Sequence, residues 1–326
     1  MAGAITSVTH VTDPLVKNIL ISKTFNADKY GFNKMFTKVA TDQDDVLIAK
    51  FDAEQAASRI ENLESNDDSD AVQVKFQYST EKVRSKTLIV STRVTNKEGR
   101  NTLEPILNNH EKMVTEGLMK LIHQKVEKDA ENLLTTSGNY TMSNTEALTS
   151  GDRWDSSDYG TSHPYITIEE WIEIINQNAE EDVNAIGIPK IVFTQLANHP
   201  DTIAKMKTTE HKVLTENDLK ILLSSKIGVD VKNLYVLNNF YNSSETATPT
   251  KVRYWGKNFL AFYKNPSANY IGGQNFATLY YPKQKQGLSI RKYWARDQRS
   301  YFIDVEFAYN LSIQQECGFL GTTVID

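Results

Sequence analysis

Apolar positions recur every three to four residues along 103–134, at Leu103, Ile106, Leu107, His110, Met113, Val114, Leu118, Leu121, Ile122, Val126, Ala130, Leu133 and Leu134. That period predicts one long amphipathic helix. Pro105 falls in its first turn, where a missing N–H costs little, and Ser137-Gly138-Asn139 follows its end. At about 1.5 Å per residue the helix is a rod of roughly 45–50 Å, a spine rather than an ordinary domain helix. The period changes to two at the other end of the chain. Tyr301, Ile303, Val305, Phe307, Tyr309, Leu311 and Ile313 alternate with Phe302, Asp304, Glu306, Ala308, Asn310, Ser312 and Gln314, which predicts a half-buried strand of more than about 40 Å.

Shorter signals fill the interval. Residues 46–51 form an apolar run, and 52–64 place Ala53, Ala56, Ala57, Ile60 and Leu63 at helical spacing. After the acidic turn at 65–70, Val72, Val74, Phe76 and Tyr78 alternate with Gln73, Lys75, Gln77 and Ser79. A charged turn (Glu81, Lys82, Arg84, Ser85, Lys86) and a β-rich run at 87–95 complete a long hairpin, with charge at its tip to discourage promiscuous edge pairing. Further on, Thr167 and Glu170 suggest a capping box stapled by Ile166 and Trp171. Residues 190–194 read as a short buried strand, 194–207 as a helix around His199-Pro200, and Thr215 with Asp218 as the cap of another helix. A strand at 234–237 then gives an α/β block, and 252–263 is β-rich. Residues 1–40 carry scattered aromatics without a sustained period, the pattern of an arm lying on this subunit or on a neighbour.

Composition narrows the function more than it shapes the fold. Lys and Arg number 36 against 41 Asp and Glu in 326 residues, a net charge of −5, so the whole surface lacks the positive field that draws phosphate backbones. Cys317 is the only cysteine, which excludes an internal disulfide framework and fits a reducing compartment. Residues 1–20 have no signal-peptide apolar core, and no run of about 18 apolar residues occurs, so a soluble protein with no membrane partner is expected.

Catalytic and cofactor motifs are missing from the sequence. Gly256, Gly272, Gly273 and Gly287 match neither a dinucleotide fingerprint nor a phosphate-binding loop, and no G-x-S-x-G elbow occurs. Asp152, Asp155, Asp158 and His163 are close in sequence, yet aspartates at every third position with Gly160 misplaced do not fit a calcium loop. No catalytic, cofactor or metal residue is assigned. One basic concentration stands out: Lys283, Lys285, Arg291, Lys292, Arg296 and Arg299, interleaved with Tyr293 and Trp294. Aromatics among basics can stack on single-stranded bases; in an acidic chain the stronger expectation is pairing with carboxylates of a neighbouring copy, such as Asp67, Asp68 and Asp70. Lys82, Arg84, Lys86, Asp67, Asp68, Asp70, Arg291, Lys292, Arg296 and Arg299 are the candidate subunit-interface residues.

A projecting hairpin, a spine helix, an α/β block and a closing long strand, in that order, resemble the tailed-bacteriophage major capsid fold, an α+β fold shared with encapsulins. The second half is similar to the lambda-type head proteins. Trp154 in its polar loop, the helix from Thr167, Pro189-Lys190-Ile191-Val192-Phe193-Thr194, Leu196, His199-Pro200, Ile203, then Arg291, Tyr293 and Arg296 before 301–313 carry that likeness. The resemblance implies an N-terminal arm at 1–41, an extended loop at 42–95, a peripheral domain at 96–162 with its spine at 103–134, an axial domain at 163–275, and return strands of the peripheral domain at 276–326. It also implies hexamers and pentamers tiling an icosahedral head around double-stranded DNA, held without sequence-specific binding. The expected location is the virion, after assembly in the host bacterial cytoplasm. Expected partners are copies of the same chain, a portal protein, a separate scaffolding protein (since the chain begins directly in the arm) and, in some heads, a decoration protein. Two rival readings are an encapsulin-like compartment and, in another class, a metal-dependent hydrolase using Asp155, Asp158 and His163.

Overall fold

The computed structural model describes residues 29–42, 45–51, 78–95, 104–155, 158–179, 181–206, 215–228, 230–242, 250–268, 274–283, 288–295 and 300–326. Helix α1 (Gly31–Met35) and strand β1 (Thr37–Thr41) open the described chain. A ribbon follows, β2 (Asp45–Phe51) antiparallel to β3 (Tyr78–Arg84), and then β4 (Lys86–Thr95). The expected hairpin is therefore paired differently. β3 pairs back onto the apolar run at 45–51, β4 pairs with the closing strand, and Glu81 to Lys86 lie within strands on either side of Ser85. Lys82, Arg84 and Lys86 occupy exposed strand positions near the root of the ribbon, because register sets Asp45 opposite Arg84 and Phe51 opposite Tyr78. The helix expected at 52–64 and most of the alternation at 72–77 lie outside the described residues.

The spine α2 (Glu104–Thr135) has 32 residues, close to its expected limits. Leu118, Met119, Ile122, Val126, Ala130 and Leu134 form its buried stripe. Side chains satisfy its last carbonyls: Asn139 Nδ2 donates to Leu133 O (2.8 Å) and Tyr140 Oη to Leu134 O (2.7 Å). The stripe rests on a sheet whose central strand is β13 (Ser300–Ile313). β4 pairs with β13, as does β12 (Leu288–Ala295), while β11 (Ala277–Pro282) pairs with the far end of β13 and, in parallel, with β1. Alternation decides the faces. Ile303, Val305 and Tyr309 face the spine, and Tyr309 Oη donates to Asp129 Oδ2 on it (2.6 Å).

The second sheet has the order β5 (Thr145–Ala147), β14 (Gly318–Thr322), β10 (Phe259–Phe262), β6 (Ala185–Pro189), β7 (Asn233–Leu237). β6 and β7 are parallel, joined by α4 (Lys190–Asn198), α5 (Pro200–Met206) and α6 (Glu216–Ile227), a βαβ crossover. α3 (Pro164–Ala179) packs on the sheet through Trp171 and Ile172, and a small ribbon, β8 (Phe240–Asn242) with β9 (Lys251–Arg253), follows β7.

Several local expectations change. The run at 190–194 is the first turn of α4, because Pro189 ends the buried strand and its extended backbone (φ −61°, ψ 146°) N-caps the helix. Residues 192, 193 and 196 then share its buried face. α3 starts at Pro164, a residue suited to the first helical turn, so Thr167 is interior and its hydroxyl donates back to His163 O (3.3 Å). The expected capping box at Thr167 is therefore absent. The one at Thr215 and Asp218 is present with both reciprocal hydrogen bonds. β14 and β5, expected with the peripheral layer, belong instead to the α/β sheet. α1 and β1, expected in an arm, are core: Phe32 and Met35 are buried and β1 is an integral strand.

Candidate subunit-contact surfaces

Lys82, Arg84 and Lys86 are exposed where the β2–β3 ribbon joins the body. Asp67, Asp68, Asp70, Arg296 and Arg299 lie outside the described residues. Within one copy, Arg291 and Lys292 meet carboxylates of their own chain. Arg291 Nη2 is 3.3 Å from Glu306 Oε2, and Lys292 Nζ donates to both carboxylate oxygens of Glu111 on the spine (2.9 and 2.8 Å). Register explains both. β12 runs antiparallel to β13, which puts Arg291 beside the acidic positions of the outer face and turns Lys292 inward to the helix. Lys283 likewise pairs with Asp42 (2.7 Å). The aromatics pair across strands, Tyr293 stacked on Phe302 (5.6 Å) and Trp294 edge-on to Tyr301 (4.7 Å).

The aspartates considered as metal ligands each serve the backbone or a local contact. Asp155 Oδ2 accepts from Asp326 N (2.5 Å), Asp158 Oδ2 from Gly151 N (2.9 Å) and Asp152 Oδ2 from Thr149 Oγ1 (3.1 Å), while His163 Nδ1 meets Asp201 (3.2 Å). Nearby, Ser162 Oγ lies 2.9 Å from His199 Nε2, the spacing of a nucleophile and its base. The tautomer is wrong for that use. His199 Nδ1 accepts from Asp201 N (3.2 Å), so the ring proton sits on Nε2 and is donated to the serine. Burial lowers the His199 pKa and favours this neutral form.

No protein-family model matches the sequence, and no curated protein matches it. Solved structures do. A phage-related protein from Bordetella bronchiseptica RB50 superposes with a TM-score of 0.72 at 17% identity, over 96% of this chain and 97% of that one. A prophage protein from E. coli CFT073 assigned to the capsid gives 0.56 at 11%, over 95% and 98%. The capsid of Myoviridae phage XM1 gives 0.50 at 13%, over 88% and 89%. This chain has the tailed-phage capsid fold.

Within this capsid fold, one buried joint that no local pattern announces ties the spine to α1 and to residues 239 and 255. Glu127 is fully buried with no cation beside it among the described residues. Its carboxylate accepts from Gly31 N and Phe32 N at the start of α1 (2.9 Å each), from Trp255 Nε1 (2.7 Å) and from Asn239 Nδ2 (3.2 Å). Burial raises its pKa, and the four donors oppose that rise. One turn earlier, His123 packs against Tyr30, Phe32 and Phe307 (5.5, 5.7 and 6.3 Å), and its Nδ1–H donates to Met119 O (2.9 Å). Desolvation lowers the His123 pKa below 6.5, with Lys38 adding to it and the Met119 bond opposing.

The sign of the pH effect follows. An unfolded chain protonates His123 first, so its contribution is intact above about pH 6.5 and is lost as pH falls toward the depressed folded value. Thermal melts at pH 7 and pH 5 should show a larger loss for the native chain than for His123→Gln. His199 is also depressed but is common to both chains. Equal losses would mean that the ring is not held neutral.

Proposed function

We propose that this chain is the shell-forming subunit of a tailed-phage head: copies associate into hexamers and pentamers that tile an icosahedral container for double-stranded DNA, and the chain catalyses no reaction. Assembly in the host cytoplasm with a separate scaffolding protein and a portal protein, and decoration in some heads, belong to the same reading. The likeness to phage capsid structures over nearly the whole chain supports it. The observation that carries it is the β2–β3 ribbon, which among the described residues pairs with no third strand. Two-stranded hairpins are marginal in water, and a ribbon of this kind is completed by a surface beyond its own body. The net charge of −5 and the internal neutralisation of Arg291 and Lys292 favour enclosing DNA without tight binding to it.

The test is electron microscopy and sedimentation of the purified, concentrated chain. Closed particles are expected; a well-folded monomer that never associates would overturn the proposal. Particles filled with protein cargo and free of nucleic acid in the producing cell would favour a compartment shell instead. Replacing residues 45–84 by a short Gly/Ser linker should leave the thermal transition of the body in place, since its core lies elsewhere, and abolish closed particles. Normal particles from that variant would remove the ribbon from the assembly mechanism.

A further inference from the structure

The α/β sheet is electrically polar from edge to edge. Its β5 edge is built by residues 137–152, 164–179 and 314–326, which contain no lysine or arginine, and whose carboxylates include Glu146, Glu169, Glu170, Glu173 and Glu316. The nearest cation in sequence, Arg153, is engaged with Asp326. α3 is seated over this edge, since Trp171 Nε1 donates to Glu146 Oε2 on β5 (2.5 Å) and its ring lies on Gly321 of β14. Glu169, Glu170 and Glu173 lie on the exposed side of α3.

The opposite edge is β7 and the β8–β9 ribbon that follows it. The described residues of 230–242 and 250–253 carry Lys232, Lys251 and Arg253 against Asp230 alone. All three residues of β9 are exposed. Arg253 lies over the Phe240 ring (4.7 Å) and donates to Asn238 Oδ1 (3.0 Å), which fixes the guanidinium in place without neutralising it. Among the described residues no ion pair joins Lys251 or Arg253 to a carboxylate. Each edge also displays large apolar side chains: Met142 (98% exposed) and Ile166 on the acidic side, Phe240 and Val252 on the basic side. Met142 stands on a turn fixed by Asn144, whose Nδ2 donates to Gly318 O (2.9 Å) and whose Oδ1 accepts from Asn178 (2.7 Å). It is a rigid projection rather than a loose loop.

We propose that the acidic β5–α3 edge of one copy docks on the basic β7–β8–β9 edge of the next, a head-to-tail contact between α/β blocks that closes into a ring. This rests on the shell reading and names the surfaces it uses. Complementary patches on opposite edges of one sheet favour a heterologous contact over a two-fold one, because like edges repel, and heterologous contacts generate rings when the rotation closes. The apolar residues supply burial at the centre of each patch, and the charges fix register around them.

The test uses full-length chains with exposed charges reversed: E169K/E173K, in which both edges become basic, and K251E/R253E, in which both become acidic. Circular dichroism and melting of each variant should match the native chain. Each alone should raise the concentration needed for assembly by about tenfold or more, since two attractive charge pairs at every contact become repulsive. An equimolar mixture should form six-membered rings where neither variant does, because alternating copies restore opposite charge at every contact of an even ring. A defect of folding would not be rescued by mixing. Native chain that assembles while both variants assemble equally well, or a mixture that stays dissociated, overturns the edge contact and leaves the shell reading standing. Native chain that never assembles overturns both.

Discussion

Replacing Glu127 with alanine should cost the fold about 3–5 kcal/mol, the range for breaking a buried charged network. The reason is the number of donors left behind. Two backbone N–H groups of α1 and the Trp255 indole converge on one carboxylate, joined at 3.2 Å by the Asn239 amide, which keeps a second acceptor in Lys29 O (2.8 Å). The pocket is also closed to rearrangement. A methyl group on Gly31 would sit 2.8 Å from the Trp255 ring and 3.0 Å from Glu127 Oε1, so the α1 backbone is pressed against both. Glu127→Gln should cost nearly as much, since its amide would turn an N–H toward N–H donors. Urea melts give the stability. Trp255 fluorescence should shift to the red at denaturant concentrations below the main transition, as residues 30–41 detach first. A loss under about 1 kcal/mol in either variant would mean that α1 is held by its apolar contacts alone.

The same residue has a pH signature opposite to that of His123. Burial raises the folded pKa of Glu127 above its ordinary value, so its contribution is greatest below about pH 4.5 and is lost as pH rises through the raised value. His123 acts in reverse, its contribution being lost as pH falls below about 6.5 toward the lowered folded value. The two sit on one face of the spine and hold the same segment, residues 30–32. Mild acid therefore weakens the aromatic half of the joint while easing the carboxylate half, and Glu127→Gln should leave only the weakening.

Period made the long elements legible. The spine and β13 are each set by a repeat sustained over many residues, and each falls within a residue or two of the limits read from the chain. Short elements failed where one residue decides between states. The run after Pro189 is β-branched and apolar, equally at home in a strand or a buried helix, and the proline backbone settles it. The motif at Thr167 and Glu170 is a good start signal overruled by Pro164. Pairing partners were not legible, because alternation shows that 87–95 is a strand but not that its mate lies some two hundred residues on. Glu127 was invisible for a similar reason: a lone acid on a helix looks like a solvated position until residues 31, 239 and 255 are brought to it. Thr215 with Asp218 was readable because all its partners are local.

Gly321→Ala should destabilise the α/β block by about 3 kcal/mol, the upper end for overpacking a closed core. A Cβ at this position would overlap the six-membered ring of Trp171. Overpacking is cheap when the neighbour can swing away, and Trp171 cannot. It stacks on Phe319 (5.1 Å), is flanked by Phe259 (5.7 Å) and Trp154 (5.8 Å), and is tethered through Nε1 to Glu146. The alternative is for β14 to move, but Gly321 is paired with Phe259 of β10 on one side and Glu146 of β5 on the other. Trp171→Leu should itself cost about 2–4 kcal/mol through the cavity it opens, yet in that background Gly321→Ala should be nearly neutral, because the methyl enters space the indole has left. The double-mutant cycle should then show a coupling of about 2 kcal/mol or more. Additive losses would mean that the strain is absorbed by the backbone of β14 and that the glycine is required for some reason other than the ring above it.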